Sequence, residues 1–515
     1  MSEPEFDNAA SRTCPLSWPQ QRRNLILFAL SIGMNYLAAP VLYIGITHAA
    51  LCEKLHADTA TSNLPATMFF AMTAMVTLIA WISPKVSMLK WNLTICYSLC
   101  ASILAALALA LWLDLPDRVK IGMVILQGGV VGAVMPAATA ALWEAIGRGT
   151  DESRRGLALA MAFGGGPVLA VIGSMCQSAL LGGQFFFWTF DGVEYPWNFV
   201  ILFAAGVPMM GLAILFGQLL IIPLPEQETP REPIREVIGL LIGVPGLFFT
   251  FVCLYLAGLP QGTVIDISGF TRLLGITDST SGPMAFEIDP QLCQWTAYSL
   301  GFVSTVAFVY QFRSILSQRT LLIATLVTIL VYCGNMIPAN MNLYSEFALG
   351  DEPSKFAGVQ NTLRFGFKMF AGLGLGWLLA KTNPRAGVLA TSFLFLAALC
   401  WALFVTGPLY LVAFGVFGAG ELIGVYAPNY IVSASRQADL RKTTAFMTLL
   451  MAPAAPVGYV YGSIVDFVRK NQWTALGMDS ATLGFRLSFL ACAVLILCGI
   501  ALALTMLPKH PRRAA

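Results

Sequence analysis

Three charged side chains lie within long apolar runs of this sequence. Glu421 stands in Gly418-Ala419-Gly420-Glu421-Leu422, with no basic residue near it in the chain. Arg364 and Lys368 are four residues apart in a run that begins near Phe356. That spacing puts both on one helical face, and a rise of 1.5 Å per residue sets Arg364 roughly 12 Å inside. A charge at that depth is costly and is by default a functional hypothesis. Burial disfavours the charged form of a carboxyl, so Glu421 is a candidate proton carrier; a structural hydrogen bond to a neighbouring helix is the alternative. Two cations on one buried face require an anion, either Glu421 itself or a carboxylate or phosphate on a substrate. The other reading for the pair is that both snorkel to a surface.

Uncharged polar groups recur in the same kind of run. Asn35, Tyr36, Gln127 and Asn335 would each orient a substrate by hydrogen bonding or tie helices together. His48 reads as an interfacial histidine, and Asp466 and Arg486 as residues near span ends that face headgroups or each other. Glu144 precedes Arg148 by four residues, the spacing of a helical ion pair. The three histidines, 48, 56 and 510, cannot form a metal cluster, and the eleven cysteines have no paired spacing. No Gly-x4-Gly-Lys-Ser/Thr segment is present, which argues against a pump with its own nucleotide domain. We expect no catalytic residue, metal or cofactor.

The elements that must hold these residues are membrane spans. Only 11% of the 515 residues are charged and the mean hydropathy is +0.73, where a soluble domain would carry about 25% charged residues. This excludes an ordinary soluble enzyme, a disordered chain and a nucleic-acid binder. Fourteen runs are long enough to cross a bilayer: 24–50, 62–83, 91–113, 119–145, 154–181, 198–222, 237–259, 293–312, 319–345, 356–380, 386–406, 409–433, 443–468 and 483–507. With the N-terminus cytoplasmic, 20 of the 30 Lys and Arg fall inside and 7 outside; Arg364, Lys368 and Arg486 fall within spans. This is the positive-inside bias of a correct topology. It predicts a multi-pass cell-membrane protein with both termini cytoplasmic, and places Cys14 inside and Cys52 and Cys293 outside. The aromatic segment Gly182–Trp197 reads as an interfacial belt.

The chain repeats itself. Gly128, Gly132 and Pro136 recur as Gly420, Gly424 and Pro428, 292 residues later. Pro167-Val168 and Gly173-Ser174 recur as Pro456-Val457 and Gly462-Ser463 at an offset of 289, and Trp81 and Lys85 as Trp377 and Lys381 at 296. The partners are eight spans apart, an even number, so the halves run parallel. Two six-helix bundles with two extra central helices result: 1–222, then 223–318 with the inserted helices and a long outside loop, then 319–515. Parallel six-helix halves are the arrangement of major facilitator transporters.

The chain resembles that superfamily, in a fourteen-helix variant, over nearly its whole length. The family's loop motif after helix 2 is matched loosely in the second half by Gly376, Leu378, Lys381 and Arg385, with Ala380 at the Asp position. The first half keeps Ala80, Ile82, Lys85 and Lys90, with Pro84 there. The resemblance implies gate contacts for Lys85, Lys381 and Arg385, beside the plainer reading of positive-inside anchors. Gln127-Gly128 matches the helix 4 motif, but Val124 stands where drug-exporting branches carry Arg; Gly166-Pro167 matches the helix 5 motif, but Ala170 and Val171 replace its final Gly-Gly. The implied function is secondary active transport of a small molecule by alternating access, proton-coupled through Glu421. The surplus of basic charge in mid-membrane points to an organic anion. A transport-dead sensor or partner-binding protein on the same fold is the alternative.

Overall fold

The computed structural model describes residues 15–113, 115–151, 154, 157–158, 161–185, 188–224, 233–234, 237–261, 263–266, 285–435, 446–447 and 449–511. Its helices are α1 (Trp18–Leu37), α2 (Ala39–Leu42), α3 (Ile46–Lys54), α4 (Thr59–Met72), α5 (Met75–Ile82), α6 (Leu89–Trp112), α7 (Asp117–Gly149), α8 (Gly166–Gly182) and α9 (Trp197–Gln218). The central α10 (Ile238–Ala257) and α11 (Pro290–Gln311) follow. The second half holds α12 (Arg319–Tyr332), α13 (Pro338–Leu349), α14 (Pro353–Lys381), α15 (Pro384–Phe404), α16 (Val412–Gly420), α17 (Ile423–Ala434), α18 (Pro456–Lys470) and α19 (Ser480–Met506). The described strands pair antiparallel two by two, Gln184–Phe185 with Trp188–Thr189 and Val264–Asp266 with Ala285–Glu287.

The helix starts follow local chemistry. Asp58, Asp289, Asn383 and Asp479 accept hydrogen bonds from the free first-turn N–H groups of α4, α11, α15 and α19. Pro290, Pro338, Pro384 and Pro456 open their helices, where no N–H is needed. Among the described residues, ten helical stretches are long and apolar enough to cross a membrane. α14 carries Gln360, Asn361, Arg364 and Lys368.

Several runs that read as continuous are broken part-way along. The first bends at Ala38 and opens at residues 43–45, where Gly45 has φ of 150°, a conformation only glycine adopts freely. The second turns at Thr73 and Ala74, the ninth passes through a 3-10 turn at Cys333–Met336 ahead of Pro338, and the twelfth turns at Glu421 and Leu422. Irregular backbone within a bilayer survives only where protein or a cavity satisfies its polar groups. Gln127 does this for the first break, its Nε2 donating to the Val41 carbonyl at 2.9 Å.

The repeat is present, but its glycines do not do the same work twice. Gly128 and Gly132 lie against the backbone of Pro65 and Phe69, so no side chain fits. In the second half Gly418 meets the Arg364 backbone and Gly415 the Phe367 ring, while Gly420 faces Phe395. The break at Glu421–Leu422 separates α16 from α17 at this point in the row.

The chain forms two compact units, residues 1–232 with 314–515, and 233–313. In the smaller unit, α10 and α11 pack through Gly239, Gly243 and Gly246 against Ala307, Phe308 and Ser304. Gln311 Oε1 accepts from the Gly239 N–H at 3.1 Å.

In the larger unit the two halves touch along one face, that of Lys54. Lys54 pairs with Glu352 at 2.6 Å. Asn63 Nδ2 donates to Asn340 Oδ1 at 2.6 Å, and Asn361 Nδ2 to Gln177 Oε1 at 3.0 Å. Gly182 lies on the Lys355 backbone, Gly358 on Ser178, and Gly462 on Thr59 and Ala60. Deeper, Phe365 packs with Ala39 and Ala170. Two contacts named at the opposite face stay within one half: Glu144 with Arg148 at 2.8 Å, as its spacing predicts, and Arg385 Nη1 with the Leu507 carbonyl at 2.8 Å.

Candidate functional site

Glu421 sits at the break between α16 and α17, with its carboxylate turned toward α14. Arg364 Nε donates to Glu421 Oε2 at 2.9 Å, and Arg364 Nη2 donates to Oε1. This is the two-pronged arrangement that suits a guanidinium to a carboxylate. Lys368 Nζ reaches Oε2 at 3.4 Å. The Arg364 and Glu421 side chains are 6% and 8% exposed, and that of Lys368 24%. Gly418 makes the arrangement possible, because its missing side chain lets α16 lie on the Arg364 backbone.

The cluster carries two positive charges and one negative. Arg364 Nη1 is buried and has no hydrogen-bond partner among the described residues. A buried guanidinium N–H without an acceptor costs free energy until one arrives. Lys368 has one long hydrogen bond for its three N–H donors. The arrangement can therefore hold one further anionic group.

Aromatic rings from both halves close one side. The guanidinium carbon of Arg364 lies 5.7 Å from the Phe365 ring centroid and 6.0 Å from that of Phe417. Tyr43, at the break after α2, meets Phe365 edge-on at 5.4 Å and stacks on Tyr36 at 6.3 Å. Sequence reasoning did not single out Tyr43; its signal is Gly45, two residues on, which marks the break.

The other polar residues from the sequence lie apart from the cluster or serve neighbours. Asn35 Nδ2 donates to the Tyr97 hydroxyl at 2.8 Å, a tie between helices of the first half. Gln127 holds the Val41 carbonyl, and its Oε1 is unpartnered among the described residues. Asn335 lies in the 3-10 turn before α13, with Oδ1 buried and likewise unpartnered. Lys85 precedes a 3-10 turn, Lys381 lies 4.6 Å from the Trp377 ring centroid, and Arg385 binds the end of α19.

Three expectations from the sequence are corrected. His48 is not interfacial: it is fully buried, packed edge-on against Phe203 at 5.6 Å. Cys52, expected to face outside, is fully buried in α3, which lies between α4, α13 and α14. Asp466 and Arg486 do not meet: Asp466 caps α4, and Arg486 donates to the Tyr344 hydroxyl at 3.3 Å and to Met478 Sδ at 3.2 Å. Cys14 lies outside the described residues.

No family model and no curated protein sequence matches the chain. Solved structures do. A POT family transporter in complex with 5-aminolevulinic acid shares 13% identity over 95% of this chain and 97% of its own, with a TM-score of 0.60. A peptide transporter POT in complex with sulfate gives 15% identity, 93% and 94% coverage and a TM-score of 0.60. The nucleoside transporter NupG gives 11%, 94%, 98% and 0.54. The chain thus has the all-α membrane fold of these solved structures.

Proposed function

We propose that this chain is a secondary transporter that moves a small molecule by alternating access, coupled to protons through Glu421 and selective for an organic anion. The reading is carried by one observation: a buried cluster with two cations, one carboxylate, and an unpartnered Arg364 N–H. Glu421 and an incoming anion compete for the same donors. Protonation of Glu421 releases Arg364 and Lys368 for the substrate, and its ionisation takes them back. Each state then gives Arg364 and Lys368 one anionic partner between them. One proton and one monoanion cross together, with no net charge carried by the pair.

The contact between halves lies at the Lys54 face, which the positive-inside bias puts outside. The conformation is then closed to the outside, and rocking of one half on the other opens it. Similar structures hold 5-aminolevulinic acid and sulfate, ligands with an acidic group. We assign the chain to a fourteen-helix arrangement, with bundles 1–222 and 319–515 and an inserted segment 223–318. The fourteen apolar runs and the separate unit 233–313 support that division.

Uptake of candidate anions into energised vesicles, with and without a pH gradient, tests the coupling. Glu421→Gln keeps the shape but cannot titrate. Accumulation in this variant should lose its response to the gradient. An unchanged response would remove Glu421 as the proton carrier.

A further inference from the structure

Asp466 holds the two halves together in an unusual way. It lies on α18 in the second half, yet its Oδ1 accepts from the Thr59 N–H at 3.1 Å and its Oδ2 from the Ala60 N–H at 2.7 Å. Both donors belong to the first turn of α4, in the first half. The first N–H groups of a helix have no partner within it, and the helix dipole adds about half a positive charge there. Asp58, the local cap, takes only the Thr61 N–H, at 2.7 Å. The other two are left to a carboxylate from the opposite half. Gly462, one turn before Asp466, lies on Thr59 and Ala60 with no room for a side chain, which brings the carboxylate within reach.

The surroundings make this contact sensitive to charge. α18 packs on α4, on α19 and on the turns at 333–336 and 452–454. The charged or titratable groups these bring are Asp58 before α4, Arg486, Cys492 and Cys498 on α19, Cys333 on its turn, and Tyr459, Tyr461, Arg469 and Lys470 on α18 itself. Asp58 brings a second carboxylate to the same helix end. Arg486 is engaged by Tyr344 and Met478, and Arg469 stands over the Phe347 and Phe485 rings. The attraction that holds the carboxylate is thus that of the helix end, and it depends on the negative charge.

We propose that Asp466 is a second proton-binding group, separate from Glu421, whose ionised form latches the Lys54 face shut and whose protonation releases it. Protonation removes the charge that the α4 terminus attracts and turns one acceptor oxygen into a donor, which cannot face an N–H. The remaining polar contacts at this face are the partly exposed Lys54–Glu352 ion pair and amide pairs such as Asn63–Asn340 and Gln177–Asn361, which water can replace. The inference rests on the alternating-access reading above but is tested without substrate or transport.

The test is hydrogen exchange in the purified full-length protein, comparing residues 59–64 with residues 177–183 and 353–361 across the interface. Asp466→Asn should speed exchange at 59–64 about tenfold, the loss of a charge-assisted hydrogen bond, and should also speed it in both distant segments. Asp466→Glu, which keeps the charge, should restore protection of the distant segments. In the wild type, lowering the pH from 8 to 5 should reproduce the Asn pattern after correction for intrinsic rates, while Asp466→Asn shows no such response. A rise confined to 59–64 makes Asp466 a local cap and overturns the latch. A wild type whose distant segments ignore pH, or an Asn variant that keeps the response, overturns the proton role. The wild-type series stands even if the variants fail to fold. Loss of transport with an intact latch would count against the proposed function alone.

Discussion

The α-carbon of Gly418 lies against the backbone carbonyl of Arg364, three residues before the carboxylate that Arg364 binds. The ion pair and the helix contact are therefore one feature. Without a side chain at 418, α16 settles on α14 and delivers Glu421 to the guanidinium.

Gly418→Ala should separate these helices. The added methyl group would meet backbone, which cannot turn aside. Overpacking of this kind costs about 1–3 kcal/mol, and the variant should unfold at lower temperature. Gly420→Ala meets the Phe395 ring instead, a side chain that can shift, and should cost less. Equal losses in thermal unfolding would show that the Arg364 contact is not special.

The cluster was legible in the sequence because charge in a membrane span is rare. Glu421, Arg364 and Lys368 stood out with no structure at all, and their partnership follows from the cost of leaving them apart. The parallel halves were legible from glycine and proline spacing. The breaks were not. Tyr43-Ile44-Gly45 reads as ordinary apolar span, and only the φ of Gly45 reveals the opening. Asp466 was misread for a related reason. A carboxylate near a span end suggests headgroups, and its true partner is a helix terminus over 400 residues away in the chain. His48 and Cys52 were judged by depth along one helix, whereas packing decides their exposure, His48 against Phe203 of α9 and Cys52 within α3, which lies between α4, α13 and α14.

Asp479 gives a pH-dependent term outside the membrane. Hydrogen bonds from the α19 first turn, foremost at Thr482, hold its carboxyl below the ordinary range. A depressed folded-state pKa stabilises fully above the unfolded value, about 3.9, and that stability is lost as pH falls through the folded value. Asp479→Ala should cost about 1 kcal/mol at neutral pH, with the gap to wild type closing in acid. A gap that is the same at pH 7 and pH 3 would mean that the charge does not matter.

Thiol labelling tests the orientation. Cys293 is partly exposed and Cys52 fully buried. An impermeant reagent added to intact cells should label a variant retaining only Cys293. One retaining only Cys52 should react after denaturation and not before. Protection of Cys293 in intact cells with labelling in opened ones would invert the topology.

Arg364 is expected to recognise the anionic group, and its role can be separated from stability. Arg364→Ala leaves Glu421 buried with Lys368 as its remaining partner. Removing one member of a buried pair costs about 3–5 kcal/mol, much of it from the charge left behind. Arg364→Lys retains charge but loses the fork that holds both carboxylate oxygens. Glu421→Gln added to Arg364→Ala removes the stranded charge and should restore much of the thermal stability. It should not restore anion binding, because the donor is gone. Ligand-induced stabilisation of the purified variants against a panel of carboxylates, with neutral and cationic analogues, reads both effects. The expected order of affinity is wild type, then Arg364→Lys, then Arg364→Ala, with the double variant as weak as Arg364→Ala. A best ligand that is neutral or cationic, with affinity unchanged in Arg364→Ala, would leave the cluster a structural tie between α14 and the break in the twelfth span.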